Sequence, residues 1–191
     1  MTKTLMTTFV LAAGLLPAAD YKIDSAHSAA EFKVKHLMVS NVRGTFSKVN
    51  GMLEFDAKNL ATAKVDATID VATVDTREPD RDKHLKSPDF FDAEKFPQMT
   101  FKSRKWAAAG KDYKVTGDLT IRGVTKEVTL NVTEVTPESK GMMGETRVGA
   151  QITGRINRKD FGVSWNKTLD AGGLAVSDDV DLTLDISAIK K

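Results

Sequence analysis

There is no cysteine among the 191 residues, which excludes a disulfide framework, a thiol nucleophile and a thiolate metal site. Only three histidines occur, His27, His36 and His84, and no two stand at the i, i+4 spacing that sets paired zinc ligands on one helix face. Neither a Gly-x-Ser-x-Gly nucleophile elbow nor a glycine-rich phosphate loop is present. Asp24, Ser25, His27 and Ser28 have the residue types of a hydrolytic triad, yet neighbours along an extended segment alternate faces and cannot converge without a sharp turn. These absences argue against an enzyme, and no cofactor or metal is expected. An excess of one charge is missing too, since 28 Lys+Arg against 26 Asp+Glu leave only +2. A balance that even offers no electrostatic reason to expect nucleic acid or an anionic membrane as partner.

No apolar run is long enough to cross a bilayer. The nearest, over residues 5–16, follows Lys3 and precedes Pro17-Ala18-Ala19, the layout of a secretory signal peptide spanning residues 1–19. It is too short for a comfortable span and has no stop-transfer flank, so no stable membrane insertion is expected. The domain then runs from residue 20 to 191, with a bacterial periplasm as its expected location. Without disulfides, such a domain depends on core burial and strand pairing alone.

Alternation is what the chain has in abundance. Phe32 and Val34 alternate with Glu31, Lys33 and Lys35; Val65, Ala67, Ile69 and Val71 with Asp66, Thr68 and Asp70; Val180, Leu182, Leu184 and Ile186 with Asp181, Thr183 and Asp185. Side chains on a strand point to opposite faces with period two, so each segment has one apolar and one polar face. The spacing predicts strands over 21–27, 29–38, 42–56, 62–74, 98–106, 112–121, 127–135, 144–157 and 177–188, joined by short polar turns as in an antiparallel meander. Over 42–56 the phase slips between Phe46 and Val49, which predicts a β-bulge near Ser47-Lys48. Helix is expected only over about 76–94, with Ser87 as N-cap and Pro88 at the first position of a short second helix bearing Phe90 and Phe91. A helical insertion there would cap one end of the sheet.

Two closed arrangements satisfy this alternation, a sandwich of two sheets or an up-and-down barrel. The inner faces include Ala30, Ala67, Gly117, Ala150 and Gly154, small residues that leave room, and about eight strands can enclose one small ligand.

The motifs Ile23-Asp24-Ser25-Ala26-His27-Ser28, Phe32-Lys33-Val34-Lys35-His36-Leu37 and Gly44-Thr45-Phe46 resemble the opening of the YceI-like, polyisoprenoid-binding family. The likeness continues through Arg81-Asp82-Lys83-His84-Leu85-Lys86-Ser87-Pro88-Asp89-Phe90-Phe91-Asp92, Gly117-Asp118-Leu119-Thr120-Ile121-Arg122-Gly123 and Asn157-Arg158-Lys159-Asp160-Phe161-Gly162. It implies an all-β, lipocalin-like antiparallel barrel of about eight strands, exported to the periplasm, holding a polyisoprenoid or similar long-chain amphiphile. The candidate ligand-binding residues are Phe32, Val34, His36, Phe46, Ile69, His84, Phe90, Phe91, Phe101 and Leu119. For His36 a bond into the strand scaffold is an equal reading, and for His84 a solvated, self-paired helix face is the better one. Arg43, Arg122 and Arg158 fall near strand ends, where they could meet a head group or anchor turns. The partner expected is therefore a lipid, with a homodimer left open; the alternative function is an enzyme or redox accessory acting on a quinone or isoprenoid in the same pore.

Overall fold

The protein is described by a computed structural model over residues 19–168 and 173–191. The leader expected over residues 1–19 lies, Ala19 apart, outside the described residues. Twelve strands form: β1 (Ala19–Ile23), β2 (Ala29–His36), β3 (Ser40–Phe46), β4 (Val49–Phe55), β5 (Lys64–Asp70), β6 (Val74–Asp75), β7 (Gln98–Ala109), β8 (Asp112–Ile121), β9 (Val124–Thr133), β10 (Ser139–Lys140), β11 (Thr146–Asn157) and β12 (Asp179–Lys190). One α-helix, α1 (Pro79–Lys86), lies between β6 and β7.

The twelve reduce to eight staves because the first two staves are each interrupted, and the two-residue β6 and β10 only flank β3 and β11. In the first, β1 and β2 both pair with β12, and a 3-10 turn at Ser25–His27 separates them. Asp24 caps that turn by accepting from the Ala26 N–H at 3.1 Å. The second stave is β3 followed by β4, which pair with β2 and β1 respectively. Each remaining stave is antiparallel to its predecessor in the chain, through β5, β7, β8, β9 and β11 to β12. The pairing of β12 with β1 and β2 joins last to first, so the sheet is a closed, eight-stranded, antiparallel up-and-down barrel in which every stave is paired on both sides for at least part of its length.

The phase slip near Ser47-Lys48 is a two-residue gap between β3 and β4 rather than a bulge within one strand. It carries the inward register from Phe46 to Val49, both buried. The bulge itself lies elsewhere, in β7, where the register shifts between Ser103 and Lys105. Phe101 and Trp106, of opposite parity, both point inward as a result.

The helical insertion is shorter than expected. Pro79 starts α1 after an extended Glu78, and Ser87 ends it. Ser87 is the C-cap of α1 rather than the N-cap of a second helix: its ψ of 169°, set by Pro88, ends α1, and its hydroxyl donates to the His84 carbonyl at 2.8 Å while accepting from the Asp89 N–H at 3.3 Å. The chain then turns through Asp92 at positive φ, so the second helix does not form. Phe90 and Phe91 still reach the barrel axis.

Candidate functional site

The inner faces of the staves enclose a cavity of about 630 Å³, within the roughly 300–1,000 Å³ typical of small-molecule pockets. Its wall comes from all eight staves: Phe32 and Val34 of β2, Leu53 and Phe55 of β4, Ala67 and Ile69 of β5, Met99 and Phe101 of β7, Val115 and Leu119 of β8, Leu130 and Val132 of β9, Ala150 and Ile152 of β11, and Leu182, Leu184 and Ile186 of β12. Strands of twelve residues, as in β7, β11 and β12, are about 40 Å long, and a tilt near 40° makes the barrel roughly 30 Å high. Leu182, Leu184 and Ile186 face inward yet are only half-buried, because the surface they leave uncovered faces the lumen.

Not every small inner residue opens space. At Gly117 the room that a Cβ would take is filled by the Phe101 ring and the β7 backbone, and at Gly154 by Leu130. Gly44 is likewise covered by the Phe32 ring. Ala30, Ala67 and Ala150 do border the lumen, so part of the room expected from small residues is consumed by neighbouring rings.

The two ends differ. At one end Leu85, Phe90, Phe161 and Val163 lie across the axis, and the last three are buried. Phe90 and Trp165 pack with centroids 5.1 Å apart, while Phe46 meets Phe91 edge-on at 5.7 Å. Arg158, 6% exposed, ties this floor to the loop above it. Its Nη1 donates to the Val163 and Trp165 carbonyls at 2.7 and 2.8 Å and its Nε to Ser177 at 2.9 Å. Burial pulls this guanidinium's pKa below its ordinary value, and Asp178 works against that. At the opposite end, Ala57, Lys58, Val135 and Glu138 border the cavity and are exposed, so this end is the mouth.

Polar groups at the mouth bond mostly to one another. Tyr21 donates to Glu138 at 2.8 Å, and the Lys190 ammonium approaches the same oxygen at 2.7 Å. Burial first, then the hydrogen bond to Glu138, pushes the Tyr21 phenol up to about 12. Trp106 packs tilted against Phe55, with centroids 5.5 Å apart, and its buried indole N–H has no hydrogen-bond partner among the described residues.

Of the ten sequence candidates, Phe32, Val34, Phe46, Ile69, Phe90, Phe91, Phe101 and Leu119 line the cavity. The two histidines do not. His36, at the end of β2, bridges Val176. His84 lies edge-on to Phe90 and Trp165, each at 5.0 Å, and its Nε2 is 2.8 Å from Asp89. Arg122 bonds the Gly162 and Pro88 carbonyls, the turn-anchoring reading of that residue. The wall also includes Leu182, Leu184 and Ile186, outside the candidate set; their period-two alternation with Asp181, Thr183 and Asp185 is the sequence signal that marks them as inward-facing. No group of three or more His, Cys, Asp or Glu among the described residues could hold a metal ion, and no helix there is long and apolar enough to cross a membrane.

A family model described as "YceI-like domain" matches residues 21–188. A UPF0312 protein of Staphylococcus aureus strain N315 is 40% identical over 162 residues, covering 84% of this chain and 92% of the relative. The crystal structure of Burkholderia cenocepacia BcnA superposes with a TM-score of 0.75 at 30% identity, over 86% of this chain and 98% of that one. A polyisoprenoid-binding domain from Saccharophagus degradans shares the fold, with a TM-score of 0.65 at 15% identity over 91% of this chain and 99% of its own.

Proposed function

This chain belongs to the YceI-like family, and we propose that it sequesters or carries a polyisoprenoid or similar long-chain amphiphile, tail inward, in the lumen of its barrel. The observation that carries this reading is the 630 Å³ cavity, walled by hydrocarbon on all eight staves and closed at one end only. The polyisoprenoid-binding domain that shares the fold supports the choice of ligand class. The leader over residues 1–19 belongs to the same proposal and would place the carrier in the periplasm.

The mechanism is burial. Each methylene removed from water contributes about 0.8 kcal/mol, so one five-carbon unit contributes roughly 3 to 4 kcal/mol. Ordering the tail and immobilising two molecules offset much of this. Four carbon–carbon bonds span about 5 Å along a chain, so the roughly 30 Å height of the barrel sets an upper bound of about five or six units, less the length that the floor occupies. The attraction is non-directional, and selection is therefore by tail length and width. The polar end stays at the mouth beside Lys58, Glu138 and Lys190, since the floor cation Arg158 is already occupied by carbonyls of its own loop.

Purification under native conditions, organic extraction and mass spectrometry test the proposal. A stoichiometric long-chain lipid is the expected result. Repeated preparations that hold none, from a protein that also takes up none, would sink it.

A further inference from the structure

Met142 and Met143 are the most exposed large apolar side chains of the described residues, at 105% and 94% of full exposure. They form the tip of the β10–β11 hairpin, between Gly141 and Gly144, closed by the Gly141 N–H donating to the Glu145 carbonyl at 2.8 Å. The connection that leads into this hairpin contributes Val135, Thr136 and Glu138 to the rim of the lumen, so the tip belongs to the open end of the barrel.

The hairpin's carboxylates are internally matched. Glu138 is met by Lys190 at 2.7 Å, and Glu145 by Arg147 at 2.7 Å. Lys140 is different: its ammonium donates to the Thr146 hydroxyl at 2.8 Å and has no carboxylate partner among the described residues. The tip thus offers two flexible thioethers beside a cation that forms no direct ion pair among the described residues and feels Glu138 only at longer range.

We propose that this tip docks the mouth of the barrel onto a lipid bilayer containing anionic headgroups, with Met142 and Met143 in the acyl layer and Lys140 at headgroup level. The inference rests on the lipid-holding function above: a tail passing between membrane and lumen avoids water only if the mouth is pressed against the membrane. Unbranched methionines adapt to disordered acyl chains, and a lysine stem can lie along apolar surface while its charge stays at the interface. A two-residue tip falls far short of the roughly 800 Å² per partner of a stable protein interface, yet it suffices for reversible interfacial anchoring. A second exposed apolar tip among the described residues, Leu37-Met38-Val39, lies at the floor end, where the chain closes over His36. It serves as the internal control.

The test is co-sedimentation of the intact protein with phosphatidylcholine vesicles, with and without phosphatidylglycerol. It compares wild type, Met142→Ser/Met143→Ser, Lys140→Glu and the control Met38→Ser/Val39→Ser. All carry the same N-terminus, so any contribution from residues 1–18 cancels. The methionine double variant is expected to lose vesicle partitioning by about tenfold or more, Lys140→Glu to lose it only on anionic vesicles, and the control to match wild type. Lipid retained in the lumen, assayed by extraction, stays unchanged in the methionine variant while its transfer to vesicles slows. Equal sedimentation of wild type and methionine variant overturns the proposal, as does a loss confined to the control or a dimer that the methionine variant abolishes. A protein that retains lipid yet ignores vesicles overturns docking alone. One that docks but never retains lipid supports docking and removes the cargo reading.

Discussion

Arg158 shows what one residue contributes here. Its buried guanidinium closes three loop carbonyls and faces Asp178 at 3.3 Å. Replacing it with Met leaves those acceptors unpaired, and we expect a loss of about 3 kcal/mol in urea unfolding, with the floor loop becoming protease-sensitive. Asp24 gives a pH signature. The Arg147 guanidinium, then the His27 ring, holds its carboxyl at about 2 instead of 3.8. A depressed folded-state pKa stabilises above the unfolded value and loses that contribution as pH falls through the folded one. Acid unfolding followed by circular dichroism should therefore show a contribution lost between about pH 4 and 2 that Arg147→Met diminishes, leaving the part held by His27. Tyr21 runs the other way. With its phenol raised to about 12, the neutral form is favoured by folding, and stability present below pH 10 declines toward pH 12. In a spectrophotometric titration, Glu138→Gln should lower the apparent pKa of this tyrosine. Asp24 was visible in the sequence as a polar cluster, but its partner Arg147 lies 123 positions away, and no local pattern joins them.

At the scale of elements, the barrel's pairings are unequal. β11 pairs with β12 through eleven residues but with β9 through only three, at Gln151, Ile152 and Thr153. Beyond those, β9 packs against the 3-10 segment Arg158–Phe161 rather than against a β11 ladder. Amides of β9 over residues 124–130 that face β11 are expected to exchange with solvent well before those of β12, measured by native-state hydrogen exchange. The strands themselves were legible because a period of two survives in almost every stave. The break at Ser47-Lys48 was legible as a phase slip. The bulge in β7 left the same kind of trace, Phe101 against Trp106, within a strand whose charged residues obscured it. The second helix failed for a local reason: the Ser87 hydroxyl does accept from the Asp89 N–H at 3.3 Å while donating to the His84 carbonyl, but the chain enters positive φ at Asp92 before a second helix is established.

For the whole molecule the governing property is the unfilled interior. Ala150 and Ala67 border the lumen from β11 and β5, so Ala150→Trp places an indole in the space assigned to the tail. The expected outcome is a folded barrel that no longer retains lipid on extraction, with a stability change within about 1 to 3 kcal/mol. Retention at wild-type stoichiometry would show that the tail lies elsewhere. His36 and His84 mark the limit of reading such a site from sequence. Their types suggested polar contacts in the pore, but strand parity does not say where along the axis a residue lies. His36 falls at a strand end, and His84 joins an aromatic cluster above the floor.

The sequence alone determined the all-β class, the near-even charge and the inner face of most strands, because strand geometry ties each side chain's direction to its parity. Only the tertiary structure decided that the sheet closes, which end is open, and where the interior stays hollow. Those depend on the register between strands distant in sequence and on competition among inner side chains for the same volume. Phe101 over Gly117 and Leu130 over Gly154 are contacts between residues that no single strand's pattern relates.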